Sequence, residues 1–199
     1  MNSIEKLTAI FKRFPGIGPR QARRFVYFLL SQPSAYTDEL LREIGMLRST
    51  TAQCTECYIY FTKDNFSELC DTCARQNTDQ TTLLIVSKDV DVDAIKKSGI
   101  YNGRYFVLGG TLPFLEKNPS DWIRDKELQK YIHNHSKTLK EIILALPVTP
   151  EGDNTSKYLR DLTESAELTC SNFGRGLSTG TEIEYSDTDT IVNAFKNRY

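Results

Sequence analysis

No part of the chain approaches the run of about 18–20 apolar residues that a membrane span requires. The longest apolar stretch, Phe25 to Leu30, stops at Ser31-Gln32-Pro33. The amino-terminal Met-Asn-Ser-Ile-Glu-Lys lacks the basic start, apolar stretch and small-residue cleavage site of a signal peptide, so a cytoplasmic protein is expected. Glycine (11 residues) and proline (7 residues) are too sparse for a collagen-like or mucin-like chain, and no low-complexity segment suggests disorder. P-loop and dinucleotide fingerprints are missing, and neither Gly109-Gly110 nor Gly174-Arg175-Gly176 satisfies them. No nucleophile–base pair is evident. The only two histidines, His133 and His135, fall at i and i+2 of one predicted helix. They do not share a face and are expected at the surface or its boundary. Net charge is nearly absent too, at −1, which on its own argues against a nucleic-acid binder.

What remains is a chain of 199 residues, 39% hydrophobic and 26% charged, long enough for one or two domains with a real core. Its charge is unevenly placed. Residues 1–30 carry Lys6, Lys12, Arg13, Arg20, Arg23 and Arg24 against Glu5 alone, a local charge of +5 that leaves −6 on the rest. A basic head on an acidic body marks either a solvated helix face or an interaction surface.

The residues between those charges favour the second reading. Ile4, Leu7, Ile10, Phe11 and Phe14 recur at helical spacing and predict a helix over residues 3–13. Pro15-Gly16-Ile17-Gly18-Pro19 breaks it, and Pro19 can open a second helix where its missing N–H costs nothing. Ala22, Phe25, Val26, Leu29 and Leu30 supply that helix's apolar face, with Ile17 turned inward as a plug. The pair resembles a helix-hairpin-helix module. Free amides around Gly16, Gly18 and the start of the second helix can hold a phosphate oxygen. Lys12, Arg13, Arg20, Arg23 and Arg24 can then meet neighbouring phosphates, giving sequence-independent, salt-sensitive DNA binding. A third helix is predicted from about Thr37, packing Leu40, Leu41, Ile44 and Leu47 against the hairpin.

Five cysteines in a cytoplasmic chain call for a role other than disulfides. Cys54-x2-Cys57 and Cys70-x2-Cys73 are two C-x2-C knuckles separated by twelve residues. Four thiolates in a closed tetrahedral site suit one structural Zn2+ per chain, with an iron–sulfur or rubredoxin-like iron site and free or oxidised thiols as alternatives. Four cysteine ligands leave no open position for a substrate. Cys170, in a strand-like run, is expected to be a buried core thiol.

From Thr81 the pattern alternates. Strands are predicted at Thr81–Val86, Arg104–Leu108, Glu141–Leu146 and Glu167–Ser171, with helices near Val92–Ser98, Ser120–His135 and Asn154–Ser165. Such alternation predicts a mostly parallel sheet covered on both faces. Ligands and partners of such sheets meet the carboxyl ends of the strands. Asp89, Asp91, Asp93, Glu151 and Asp153 follow strands there, and close carboxylates could hold magnesium for nucleotidyl transfer. Ser87 and Pro147, however, stand at the strand ends themselves, so no catalytic residue is assigned. Ser186-x-x-Asp189 is a capping pattern for a last helix displaying Ile191, Val192, Ala194 and Phe195.

The order of these parts resembles the RecR family of bacterial recombination mediators over essentially the whole chain. The likeness rests on Phe14-Pro-Gly-Ile-Gly-Pro-Arg20-Gln-Ala-Arg23-Arg24, the four cysteines, Val107-Leu-Gly-Gly-Thr-Leu-Pro113, Leu144-Ala-Leu-Pro-Val-Thr-Pro-Glu-Gly-Asp153 and Arg175-Gly-Leu-Ser-Thr-Gly-Thr-Glu-Ile-Glu-Tyr185. It implies an α/β multi-module protein. A helix-hairpin-helix region would span 1–53, a four-cysteine zinc finger 54–77, a Toprim domain 78–172 and a Gly-rich subunit-contact segment with a helix 173–199. It further implies a non-enzymatic ring clamp for RecF-type, RecBC-independent DNA repair. Dimers or tetramers would act with RecO and/or RecF to help load RecA at gapped DNA near the nucleoid. A modest charge per protomer would then sum around one DNA. The departures are Ser87 for a usual glutamate, Pro147 for a frequent asparagine and Ser178 for a usual proline, whereas Thr149 and Glu151 match. Asp89, Asp91 and Glu151 are the expected partner contacts. A Toprim-type magnesium-dependent nuclease or nucleotidyl transferase, and a scaffold whose basic head binds an acidic protein, are the rival readings.

Overall fold

The computed structural model describes residues 2–63, 67–164, 168–177 and 179–197, arranged as two compact units, Met1–Ala52 and Gln53–Tyr199. Ser178 and the predicted element ends Ser165 and Glu167 lie outside the described residues.

In the first unit, α1 (Ser3–Phe11) begins at a capping box. Asn2 Oδ1 accepts from the Glu5 amide at 2.9 Å while the Glu5 carboxylate accepts from the Asn2 amide at 3.0 Å, satisfying two otherwise orphaned donors. α2 (Pro19–Ser31) starts behind extended Gly18 with Pro19 at its first position. The two helices close on each other through Phe11 and Phe25, edge to face at 5.8 Å, over buried Ala22 and Val26. Ile17 is half-buried, the inward plug in milder form. α3 (Ser34–Thr50) starts three residues earlier than its pattern suggested, directly behind Pro33. Its apolar face does not pack as expected. Leu40 is half-buried, but Leu41, Ile44 and Leu47 are 60–68% exposed.

β1 (Thr51–Gln53) carries the chain into the second unit and pairs with β2 (Tyr60–Thr62) in a two-stranded sheet beside the first cysteine knuckle. One-turn α4 (Asp71–Ala74) carries the second knuckle. The main sheet follows: β3 (Asp79–Val86), β4 (Gly103–Val107), β5 (Glu141–Ala145) and β6 (Thr169–Asn172). All are parallel, in the order β4-β3-β5-β6. Between them lie α5 (Asp89–Ser98), α6 (Asp125–His135) and α7 (Pro150–Glu164), and α8 (Thr188–Lys196) ends the chain.

Alternation along the strands divides the core between two faces. Leu83, Ile85, Phe106, Leu108, Ile142 and Leu144 face α6 and α7, meeting Leu128, Tyr131, Ile132 and Leu159. Leu84, Val86, Tyr105 and Val107 face the other way, against α5's Val92 and the four cysteines. The cysteine segment therefore does for that face what a second helix does in an ordinary layered sheet. Phe106 is fully buried, and such a side chain contributes about 2–3 kcal/mol.

Several predicted boundaries shift for local reasons. Ser120 does not cap a long helix. It sits in a 3-10 turn, Pro119–Asp121, and its hydroxyl donates to buried Asp125 at 2.7 Å at the start of α6. α7 begins at Pro150, not Asn154, because Thr149 Oγ1 accepts from the Gly152 amide at 3.1 Å. Asp187, rather than Ser186, caps α8, its carboxylate accepting from the Thr190 amide at 2.8 Å. Cys170 is half-buried and not a core thiol, since β6 is an edge strand with one neighbour.

Gly152 is fixed by contact: a Cβ there would lie 1.9 Å from the Pro147 carbonyl oxygen. Gly152→Ala should destabilise the chain by about 2 kcal/mol or more in urea unfolding. Gly174→Ala, whose Cβ would meet nothing within 4 Å, should leave the midpoint unchanged.

Candidate nucleic-acid interface and metal centre

The hairpin between α1 and α2 is built on one left-handed residue. Gly16 has φ +75°, a conformation that a side chain would strain, and the amide of Ile17 donates back to Phe14. Beyond it, Gly18 stays extended and Pro19 has no N–H. Among the described residues, the amides of Gly16, Gly18, Arg20 and Gln21 meet no acceptor. They form the positive end of α2.

Beside that end, Lys12, Arg20, Arg23 and Arg24 line one open groove of about 630 Å³ together with Thr8, Pro19 and Tyr27. Spacing places these cations on one side: Arg20, Arg23 and Arg24 recur at three and four residues on α2, and Lys12 is the C-cap of α1. No carboxylate pairs with any of them among the described residues. Arg13 is exposed next to Lys12 but is not part of the groove wall. Thr8 and Tyr27 were missed in the sequence, although each stands one helical turn from a basic wall residue. An unpaired cationic groove ending in free amides can bind phosphates along a backbone, contacts that position without carrying sequence information.

Cys54, Cys57, Cys70 and Cys73 are all buried, with their sulfurs within 4.8 Å of one another. Both knuckles are held by their own backbones. The Cys54 amide donates to the Ile59 carbonyl at 2.9 Å, and the Cys73 amide to that of Cys70 at 3.0 Å. Tyr58 supports the first turn in a left-handed conformation, φ 62°, and its ring meets Phe106 at 5.4 Å. The donor set fits a metal ion. Thiolates at about 2.3 Å from a tetrahedral centre stand about 3.8 Å apart, and Cys57 and Cys70 already lie at 3.5 Å. Without a cation, the four sulfurs cannot share charge. A divalent ion would hold all four as thiolates.

This centre is stitched to the sheet. The Val107 amide donates to the Cys57 carbonyl at 2.9 Å, Arg104 Nη1 to the Cys73 carbonyl at 3.3 Å, and the Tyr60 amide to Asp89 Oδ1 at 2.9 Å. Arg124 was unforeseen: it caps the Val107 carbonyl at 2.9 Å and lies over the Tyr58 ring at 5.2 Å.

The acidic strand ends do not gather. Asp89 is spent on Tyr60. Asp91 accepts from the Ser87 hydroxyl and the Lys88 amide, both at 2.9 Å, so Ser87 serves the start of α5. Asp153 pairs with Arg175, and Glu151 is exposed in the first turn of α7. Among the described residues, the four cysteines are the only group of three or more metal-ligating side chains brought together. His133 is exposed and His135 half-buried, stacked 4.1 Å from Tyr131, as their spacing suggested. No helix among the described residues is long and apolar enough to cross a membrane.

Elemental analysis should find one metal ion per chain, reduced to a trace in Cys57→Ser. That variant should also unfold several degrees earlier, because the metal's binding energy is part of the folding energy.

A family model for the RecR helix-hairpin-helix matches residues 4–46, and one for the Toprim domain matches residues 81–173. Among the chain's relatives are recombination proteins RecR of three bacteria. That of Porphyromonas gingivalis is 35% identical over 200 residues, covering 98% of this chain and 91% of the relative. That of Treponema denticola is 33% identical over 198 residues, covering 100% and 98%. That of Lactobacillus helveticus is 31% identical over 195 residues, covering 98% and 96%. With a basic hairpin, a four-cysteine centre and a parallel sheet in that order along its full length, this chain belongs to the RecR family of recombination proteins.

Proposed function

We propose that the chain is a non-enzymatic DNA clamp of recombinational repair, one that binds DNA without regard to sequence and holds one structural Zn2+ per protomer. The observation that carries this reading is the unpaired groove of Lys12, Arg20, Arg23 and Arg24 beside the free amides of the Gly16–Gly18 turn. Arg13 adds charge at its rim. Zinc suits four sulfur donors in a closed site better than a hard cation does. Enzymatic phosphoryl transfer finds no support in the acidic strand ends, where Asp89, Asp91 and Asp153 are engaged one by one.

The uncovered apolar residues support assembly into a homo-oligomer, dimer or tetramer. Leu41, Ile44 and Leu47 on α3 and Phe195 on α8 are each at least 60% exposed. Covering one such side chain contributes about 1.5–3 kcal/mol. Several protomers on one DNA add their charges and make a weakly basic groove bind tightly. The partner surface of this reading lies at the carboxyl ends of β3 and β5, where Asp89, Asp91 and exposed Glu151 give it a negative sign. RecO and/or RecF would dock there in the cytoplasm, and the complex would help load RecA at gaps.

Reversing Arg20, Arg23 and Arg24 to glutamate should weaken DNA binding at least about 100-fold in a gel-shift titration, with metal content intact. Arg23→Ala alone should lower the slope of log K against log salt by about 1. Unchanged affinity in the triple variant would refute the groove. Light scattering should give a mass of two or more protomers, falling in Ile44→Glu/Leu47→Glu.

A further inference from the structure

A second cleft, of about 360 Å³, opens where the cysteine segment meets β4. It is lined by Asp71, Thr72, Arg75 and Thr78, by Lys96 on α5, and by Tyr101, Asn102, Gly103 and Tyr105. Its lining differs from that of a crevice left by imperfect packing. Tyr105 is 2% exposed, and its hydroxyl is buried with no hydrogen-bond partner. A buried hydroxyl without a partner costs about 1–3 kcal/mol, so its retention calls for an acceptor. The neighbouring tyrosine has no such need: the Tyr101 hydroxyl already bonds the carbonyls of Thr82 and Arg104 at 3.1 and 2.8 Å. The two rings meet edge to face at 5.1 Å, and Lys96 Nζ lies 5.6 Å from the Tyr105 ring centre. That contact places the ammonium beside the ring that carries the orphaned hydroxyl. Arg75, also in the lining, is the C-cap of α4. Neither cation is paired with a carboxylate among the described residues.

We infer that this cleft binds a phosphate group between Arg75 and Lys96, with the Tyr105 hydroxyl donating to one of its oxygens. The lining offers a guanidinium, an ammonium and the Tyr105 and Thr72 hydroxyls as donors. Several separate donors suit a tetrahedral oxyanion, whereas a planar carboxylate is met by a single guanidinium fork. Asp71 leaves the lining one positive charge in excess, so the site selects through its donors more than through bulk attraction. The volume lies within the range of small-ligand sites and exceeds what bare phosphate needs, leaving room for an attached group. The hairpin groove uses none of these residues, and the two sites are separable by mutation.

Calorimetric titration of the full, metal-loaded chain with inorganic phosphate and with a 5′-phosphorylated dinucleotide tests the assignment. One site per chain is expected, with affinity falling at least about tenfold in Arg75→Gln and in Lys96→Gln. It should be unchanged in the Arg20/Arg23/Arg24→Glu variant. Tyr105→Phe should act in two opposite directions: weaker binding of the phosphate and a higher melting temperature, because an orphaned hydroxyl has been removed. A dinucleotide bound more tightly than phosphate assigns the site to a polynucleotide, and equal affinities assign it to a small phosphorylated molecule. Absence of heat with both probes, undiminished binding in Tyr105→Phe, or loss of binding on reversing the hairpin arginines would each overturn the inference.

Discussion

Four thiols drawn to within 4.8 Å of one another hold together the segment on which half of the parallel sheet rests. That segment is too short to enclose a core of its own, so it cannot fold by burial alone. Once its sulfurs converge, it presents a rigid apolar back to Leu84, Val86, Tyr105 and Val107. The Cys57 carbonyl then accepts from Val107 and the Cys73 carbonyl from Arg104, so the metal-binding turns also finish the hydrogen bonding of the β4 edge. Metal site and hydrophobic core are one piece of construction here. A cysteine lost from the centre would expose one face of the sheet as well as a vacant ligand position.

Much of this was legible in the sequence where a local rule decides the outcome. The C-x2-C spacing makes each knuckle a tight turn whatever surrounds it. Gly16, Gly18 and Pro19 likewise fix the hairpin through φ preferences alone. Strand direction followed from alternation, since parallel neighbours need helical crossovers, but the order β4-β3-β5-β6 did not. Tertiary outcomes were harder to read. Nothing local says that Asp89 will reach the Tyr60 amide twenty-nine residues away, or that Asp91 will serve Ser87 instead of a metal. Cys170 looked like a core residue because its neighbours are apolar, but burial of a strand depends on whether a further strand lies outside it. The apolar stripe of α3 was read correctly as a stripe. Its failure to pack within the unit marks a surface whose partner is not encoded in the same stretch of chain.

The hairpin shows why total charge is a poor guide to binding. A net −1 is the sum of a +5 head and a −6 remainder, and the field near a phosphate is set by the nearest groups within about a Debye length of 8–10 Å. Lys12, Arg20, Arg23 and Arg24 lie on one groove with no acid among them, whereas acids elsewhere are taken up by amides and hydroxyls. In the proposed clamp, the acidic remainder would keep the chain from clinging everywhere to nucleic acid. Affinity is thereby concentrated where geometry can use it.

The chain order of the cysteine centre has a consequence for synthesis. Its last ligand is residue 73, and β3 begins only at Asp79, with β4 and β5 later still. On a ribosome, the metal-binding turns emerge complete before any strand of the parallel sheet exists. Parallel pairing is slow because it must wait for distant segments, and unpaired strands are prone to aggregation in the interval. A metal knot formed at that stage would give β3 and then β4 an apolar platform to settle on as each appears. A metal ion bound there would be an early template for folding as well as a late contributor to stability.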